Sequence, residues 1–191
     1  MKINYRYIEL AKKHFEEFQY IEVPWVVSAK AINITRPIWT EAVNQHCLVA
    51  SGEQSFLDLI LQGKLLEGKY CCATPCYRPN DISDELHFPQ FFKLELIEYF
   101  GKIPNDVHVL RYHHNLHFMI SNVMDFVKQF GCTIKLVDTK DDPRACQTLE
   151  SFDIEIDGVE YGSYGLRYHE DIGVWVYGTG VALPRFQQIL G

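Results

Sequence analysis

Along the chain the apolar positions change period several times, and each change marks an element. In IELAKKHFEEF, Ile8, Leu10, Ala11, Phe15 and Phe18 fall on one helical face with Lys12, Lys13, Glu16 and Glu17 on the other, which predicts an amphipathic helix. YIEVPWVVS then reads as a strand interrupted by Pro24, a residue that cannot donate to a ladder and prefers an edge or an interface. HCLVAS is a second short strand, and GEQSFLDLILQGKLLEG places Phe56, Leu57, Leu59, Ile60 and Leu61 at helical spacing before Gly63 and Gly68. KYCCATPCYR and FFKLELIEYF predict two antiparallel strands joined by the polar loop PNDISDELHFPQ. In the second of these, Phe92, Leu94, Leu96 and Glu98 share one face while Phe91, Lys93, Glu95 and Ile97 share the other. A charged face inside a sheet needs a reason.

A long helix is predicted from Asn105 to Phe130, with Val107, Leu110, Leu116, Met119, Ile120, Val123 and Phe126 as its apolar positions. TIKLVDT, ESFDIEIDGVEYGSYGLRYH and DIGVWVYGTGVA supply further strands, and a last helix starts at Arg185. This order predicts an α+β fold, an antiparallel or mixed sheet of about six or seven strands flanked by helices, rather than a doubly wound parallel sheet. Without a repeat, low-complexity tract or linker, residues 1–191 are expected to form one domain.

Composition narrows the class. A hydrophobic fraction of 47% is that of a globular protein, and no apolar run approaches the roughly 20 residues that cross a bilayer. The charged N-terminal stretch does not resemble a signal peptide, so a soluble cytoplasmic protein is expected. Cys71 and Cys72 are adjacent within a predicted strand, which suits reduced thiols better than a disulfide framework. With 25 acidic against 18 basic residues and no basic cluster, any contact with nucleic acid must be local.

Several segments carry polar residues that packing alone does not require. Arg78 ends a strand before the long loop, His87 lies in that loop and Phe91 opens the return strand; an arginine there can grip a phosphate and an aromatic can stack on a base. A hairpin with a salt bridge and a core phenylalanine is the plainer account. Glu53 and Gln54 open a helix, where capping is the plainer account. Asp153, Glu155, Asp157 and Glu160 precede Gly162, Gly165 and Arg167; alternate carboxylates repel unless a cation such as Mg2+ sits among them, or unless the edge is simply solvated. In YGTGVALPRF the small residues Gly178, Gly180 and Ala182 alternate with larger ones and end at Pro184-Arg185, which would leave room for a flat ligand on one face. Two arginines, a stacking aromatic and carboxylates amount to chemistry for a triphosphate. The GxxxxGK[ST], GxGxxG and GxSxG signatures are absent. Cys71, Cys72 and Cys76 lack a matching second pair, and Cys47 beside His46 is the remaining route to zinc.

Taken in order, these segments resemble the catalytic core of class II aminoacyl-tRNA synthetases from about Phe15 to Ile189. FQYIEVPWVVS resembles the proline-bearing dimer motif, CYRPNDISDELHFPQFFKLELIE the arginine strand with its loop and return strand, and GTGVALPR the glycine strand ending in arginine. LVASGEQSFL and DGVEYGSYGLRYH are similar to two further family segments. The resemblance departs at Asn80, Leu86 and Gln90, where the family usually carries charged residues. It implies ATP-dependent activation of an amino acid or similar carboxylic acid to an acyl-adenylate. Arg78 and Arg185 would be catalytic, on the α- and γ-phosphate respectively; Phe91 would stack on adenine, and Gly178 and Gly180 would floor the adenine site. Glu53 would take the substrate's ammonium, with Gln54, Glu95 and Arg167 lining the pocket and Glu160 with Asp153 holding Mg2+. A homodimer through the Pro24 segment is implied, with a carrier protein, an amine or a protein as acceptor, and the acidic surface argues against tRNA without a partner. The other reading is a regulatory or ligand-sensing paralogue that binds without catalysing.

Overall fold

A computed structural model describes residues 3–35, 42–43, 46–78, 86, 88–102, 109–139 and 148–191. His87 and Asn80 of the loop, together with Val107 and Cys146, lie outside the described residues. A seven-stranded sheet runs through the molecule in the order β1-β5-β6-β10-β9-β8-β7. Its strands are β1 (Gln19–Tyr20), β5 (Gly68–Tyr77), β6 (Gln90–Tyr99), β7 (Ile134–Asp138), β8 (Thr148–Ile156), β9 (Val159–His169) and β10 (Gly173–Leu183). All neighbours pair antiparallel except β1 with β5, which is parallel. The expected mixed sheet flanked by helices is therefore the observed one.

A second, three-stranded sheet of β2 (Val26–Ser28), β3 (Ala42–Val43) and β4 (His46–Leu48) has the order β2-β4-β3, and the short helix α2 (Ala29–Thr35) follows β2. Neither the small sheet as a unit nor α2 follows from periodicity, because each segment is too short to show a period. The strand expected to be interrupted at Pro24 is so: residues 21–25 belong to neither β1 nor β2. Pro24 has no N–H for a ladder, and its carbonyl instead accepts a hydrogen bond of 2.7 Å from the Ser55 hydroxyl of α3 (Gly52–Leu61).

Both faces of the large sheet are covered. On one, α1 (Arg6–His14), α4 (His113–Lys128) and α5 (Arg185–Leu190) pack Ile8, Phe15, Leu116, Val123, Phe126 and Phe186 against Leu94, Leu96, Ile154, Tyr164, Val174 and Val176. On the other, Phe56, Leu57 and Ile60 of α3 meet Cys72, Ile97, Trp175 and Tyr177. The predicted helix of residues 105–130 thus contains α4, which a 3-10 turn (Val109–Tyr112) precedes. Ser51 caps α3, its hydroxyl accepting the Glu53 N–H at 3.2 Å, and Gly63, at φ +67°, ends the turn after it.

Candidate active site

The α3 face of β5, β6 and β10 brings most of the expected residues together. Phe91, Lys93 and Glu95 stand in a row on β6, opposite Cys76, Thr74 and Cys72 of β5. The Arg78 guanidinium lies 5.0 Å from the centre of the Phe91 ring, and its Nε donates to the Ala50 carbonyl at 3.1 Å. The Arg78 backbone N–H bonds the Pro89 carbonyl at 2.7 Å, so the two ends of the loop are held together. At the same strand ends, two strands across, where Leu183 of β10 pairs with Phe92 of β6, Arg185, the first residue of α5, donates through Nη1 to the Glu160 carboxylate at 3.2 Å and through Nε to the Leu86 carbonyl at 3.2 Å.

Glu53 sits differently from its expected role as an open ammonium acceptor. Both carboxylate oxygens accept from Arg167 Nη1, at 3.0 and 2.9 Å, and one also accepts from the Trp175 indole N–H at 2.8 Å. Arg167 in turn stacks on Tyr177, with its guanidinium carbon 4.2 Å from the ring centre, and donates to Thr148 at 3.2 Å. Glu53 and Arg167 are only 4% and 6% exposed, so the pair is sealed into the wall rather than displayed to a ligand. Burial pushes the Glu53 carboxyl above the usual carboxylate range, and Arg167 and the Trp175 indole pull it part of the way back.

Gln54 is also occupied. Its Oε1 accepts the Ala50 N–H at 2.7 Å and its Nε2 donates to Thr35 at 3.1 Å, so it braces the turn whose Ala50 carbonyl holds Arg78. Its side chain positions the arginine from behind and presents neither of these groups to substrate. Glu95, by contrast, closes the row on β6: Oε2 accepts the Gly52 N–H at the start of α3 at 2.8 Å, and Oε1 accepts from Lys93 at 2.6 Å. Lys93 was not singled out as a ligand-binding residue, although the charged alternation of β6 was the signal that marks it.

The glycines expected to floor the adenine site face the helical core. A side-chain carbon at Gly178 would meet Tyr164 Cδ1 at 2.5 Å and Met119 Sδ at 2.8 Å, and one at Gly180 would meet Leu94 Cδ2 at 2.4 Å. These neighbours belong to the helical core, so the glycines make room for packing beneath the sheet rather than for a ring above it. A bulge between Thr179 and Val181 then reverses the alternation, and Ala182, paired with Lys93, falls on the opposite face from Gly178 and Gly180.

The expected metal pair is not brought opposite one another. Asp153 faces Ser163 across β8 and β9, whereas Glu160 faces Glu155 and closes on Arg185. Among the described residues no group of three or more His, Cys, Asp and Glu is arranged to hold a metal ion, and the zinc reading of Cys47 with His46 has no such group behind it. The carboxylates of Glu160 and Asp153 are hard oxygen donors, the chemistry Mg2+ takes when nucleotide phosphates supply its remaining ligands. The described cysteines are free thiols; burial pushes Cys71 and Cys76 up to about 11.

This architecture is the fold of class II aminoacyl-tRNA synthetase catalytic domains. Seryl-tRNA synthetase from Pyrococcus horikoshii, solved with ATP, matches with a TM-score of 0.75 at 15% identity, over 96% of this chain and 48% of its own. The cytoplasmic serine-tRNA ligase from Naegleria fowleri, solved with AMP, matches with a TM-score of 0.72 at 17% identity, over 97% and 51%. Pyrrolysyl-tRNA synthetase from Desulfitobacterium hafniense matches with a TM-score of 0.69 at 18% identity, over 96% and 67%. The chain thus spans about half the length of the two seryl enzymes. No protein-family model matches the chain, and no curated protein sequence does. No described helix is long and apolar enough to cross a membrane.

Proposed function

We propose that this protein activates an amino acid or a similar carboxylic acid with ATP, forming an acyl-adenylate and releasing pyrophosphate. The observation that carries the reading is the arrangement of Arg78 over Phe91 beyond β5 and β6 and of Arg185 with Glu160 beyond β10, all at the same strand ends, on a fold shared with synthetases solved with ATP and AMP. ATP lies along this face, with its base against Phe91, its α-phosphate at Arg78 and its γ-phosphate at Arg185. The substrate carboxylate attacks the α-phosphorus in line, the bond to the bridging oxygen breaks, and pyrophosphate leaves with that electron pair. No side chain need remove a proton, because the nucleophile is already a carboxylate. Arg78 holds the attacking and receiving groups in line and spreads the developing charge. Glu160 and Asp153 are the carboxylates that would hold Mg2+ alongside the nucleotide phosphates, and the ion would neutralise part of the triphosphate charge.

The acyl group passes to an acceptor other than, or in addition to, tRNA, such as a carrier protein, an amine or a protein. The net charge of −7 supports this choice, since a tRNA acceptor calls for a phosphate-binding face. Two copies pair through the segment around Pro24, where Trp25 and Val26 are 51% and 47% exposed beside β2. The test is exchange of labelled pyrophosphate into ATP with each of the twenty standard amino acids. Exchange with one of them, lost in Arg185→Ala, supports adenylation. Binding of ATP or an amino acid without exchange would favour the ligand-sensing reading.

A further inference from the structure

Around the site the carboxylates are already taken up within the chain. Glu53, Glu95, Glu155 and Glu160 meet Arg167 at 2.9 Å, Lys93 at 2.6 Å, Lys135 at 3.5 Å and Arg185 at 3.2 Å respectively, and Asp153 is not free either. The Glu53 pair is the most firmly built of these. Besides both Glu53 oxygens, Arg167 bonds the Thr148 hydroxyl through Nε at 3.2 Å and the Tyr177 hydroxyl through Nη2 at 3.3 Å, and its guanidinium stacks on the Tyr177 ring. Gly165 leaves room for that stack: a side-chain carbon there would meet Tyr177 Cε1 at 2.7 Å and Thr148 Cγ2 at 2.9 Å. Trp175, completely buried, adds its indole N–H to the same carboxylate.

A ligand ammonium brought to this site has to displace a cation of the protein or stand unpaired beside one. Displacing Arg167 gives up its bonds to Glu53, Thr148 and Tyr177 together. Standing unpaired leaves a desolvated charge without a carboxylate. An acid with a hydroxyl or a hydrogen in place of the ammonium meets neither penalty. Its carboxylate is still the group that attacks the α-phosphorus, so the adenylation step itself is unchanged. Resting on the adenylation reading, we propose that the acid activated here carries no free α-ammonium. Arg167 fills the position on Glu53 that a ligand cation would need, and the protein takes an α-hydroxy acid, or an acid unsubstituted at the α-carbon, in preference to the matching α-amino acid.

The experiment is exchange of labelled pyrophosphate into ATP with sets of acids that differ only at the α-carbon: alanine, lactate and propionate; phenylalanine, phenyllactate and phenylpropionate; serine, glycerate and β-hydroxypropionate; glutamate, α-hydroxyglutarate and glutarate. In a set that exchanges, kcat/KM for the hydroxy or unsubstituted acid exceeds that for the amino acid by about 10- to 100-fold, the range expected when a charged group is left without its hydrogen bonds. Arg167→Ala, which uncovers Glu53, narrows that preference by about the same factor. Glu53→Gln/Arg167→Ala, with no carboxylate to offer, does not narrow it, and the wild-type ratio decides the matter if the single variant fails to fold. An amino acid used as well as its two analogues, or better, upholds adenylation and overturns this proposal, as does an unchanged ratio in folded Arg167→Ala. If no acid supports exchange, adenylation fails and the preference is read from binding. A larger rise in Tm with a hydroxy or unsubstituted acid than with its amino partner then supports the proposal; equal rises, a larger one with the amino acid, or none overturn it.

Discussion

Replacing Arg167 by Met tests whether the Glu53 pair is a sealed part of the wall. The substitution keeps a long apolar stem but removes the group that donates to both Glu53 oxygens, leaving only the Trp175 indole. Breaking a buried ion pair by removing one partner costs about 3–5 kcal/mol, which for a chain of this size lowers Tm by about 6–20 °C. The loss must depend on pH. Burial already raises the folded pKa of Glu53 above its ordinary 4.5, and Arg167 is the largest of the three groups opposing that rise, ahead of Trp175 and Lys93, so in the variant it rises further. A group raised in this way contributes stability that is complete below its unfolded pKa and is lost as pH rises through the folded value. The gap between wild type and Arg167→Met is therefore widest near neutrality and narrows as Glu53 takes up a proton. Urea unfolding followed by far-ultraviolet circular dichroism at about pH 7.5 and about pH 5 measures it directly. Adding Glu53→Gln should recover much of the loss at neutral pH, because no buried charge then remains. A gap below about 1 kcal/mol at neutral pH, or one of the same size at both pH values, would refute the reasoning.

Gly180→Ala forces a methyl group to 2.4 Å from Leu94 Cδ2 and should cost about 1–3 kcal/mol, seen as a lower urea midpoint. A ligand-facing glycine would instead give normal stability and a raised ATP KM. Asp58→Ala strips three hydrogen bonds, from the Ser28 N–H and hydroxyl and from Gln62, and should destabilise by about 1–3 kcal/mol or more in the same assay. Cys71 and Cys76, buried and raised to about 11, should resist a thiol reagent near pH 8 until the protein is unfolded in urea.

What could be read from the sequence was whatever is local. The α3 and α4 helices, the β5–β6 hairpin and the two faces of β6 follow from periods of 3.6 and 2 within a few turns or strand residues. The roles within the site depend on partners that sequence spacing hides. Glu53 meets Arg167 across 114 positions, and nothing in either segment announces that one neutralises the other. The resemblance of LVASGEQSFL to a family segment names Gln54 together with Glu53, but helical geometry turns adjacent side chains about 100° apart and sends Gln54 to Ala50 and Thr35. Spacing alone could not say which side of the sheet Gly178 and Gly180 face, and the core residues Tyr164, Met119 and Leu94 lie on that side; the bulge in β10 moves only Ala182 to the other face. Lys93 was visible as a charge where alternation called for an explanation, and its partner Glu95, two residues on, supplied part of it.

The central strand β10 has consequences for where the site can yield. Val174, Trp175, Val176 and Val181 are completely buried, and helices and side chains cover the strand from both sides of the sheet. Amide protons along such a strand exchange with solvent only through global unfolding, so their protection reports the stability of the whole fold. The floor that bears Trp175, Tyr177 and Thr179 therefore cannot loosen by itself to admit a larger ligand. Any accommodation has to come from the roof, the turn at Ala50 and the start of α3, which rest on a few hydrogen bonds from Gln54, Arg78 and Glu95. Variants with altered ligand preference should accordingly arise among those residues, while changes to the strand beneath lower expression of the folded protein before they change what it binds.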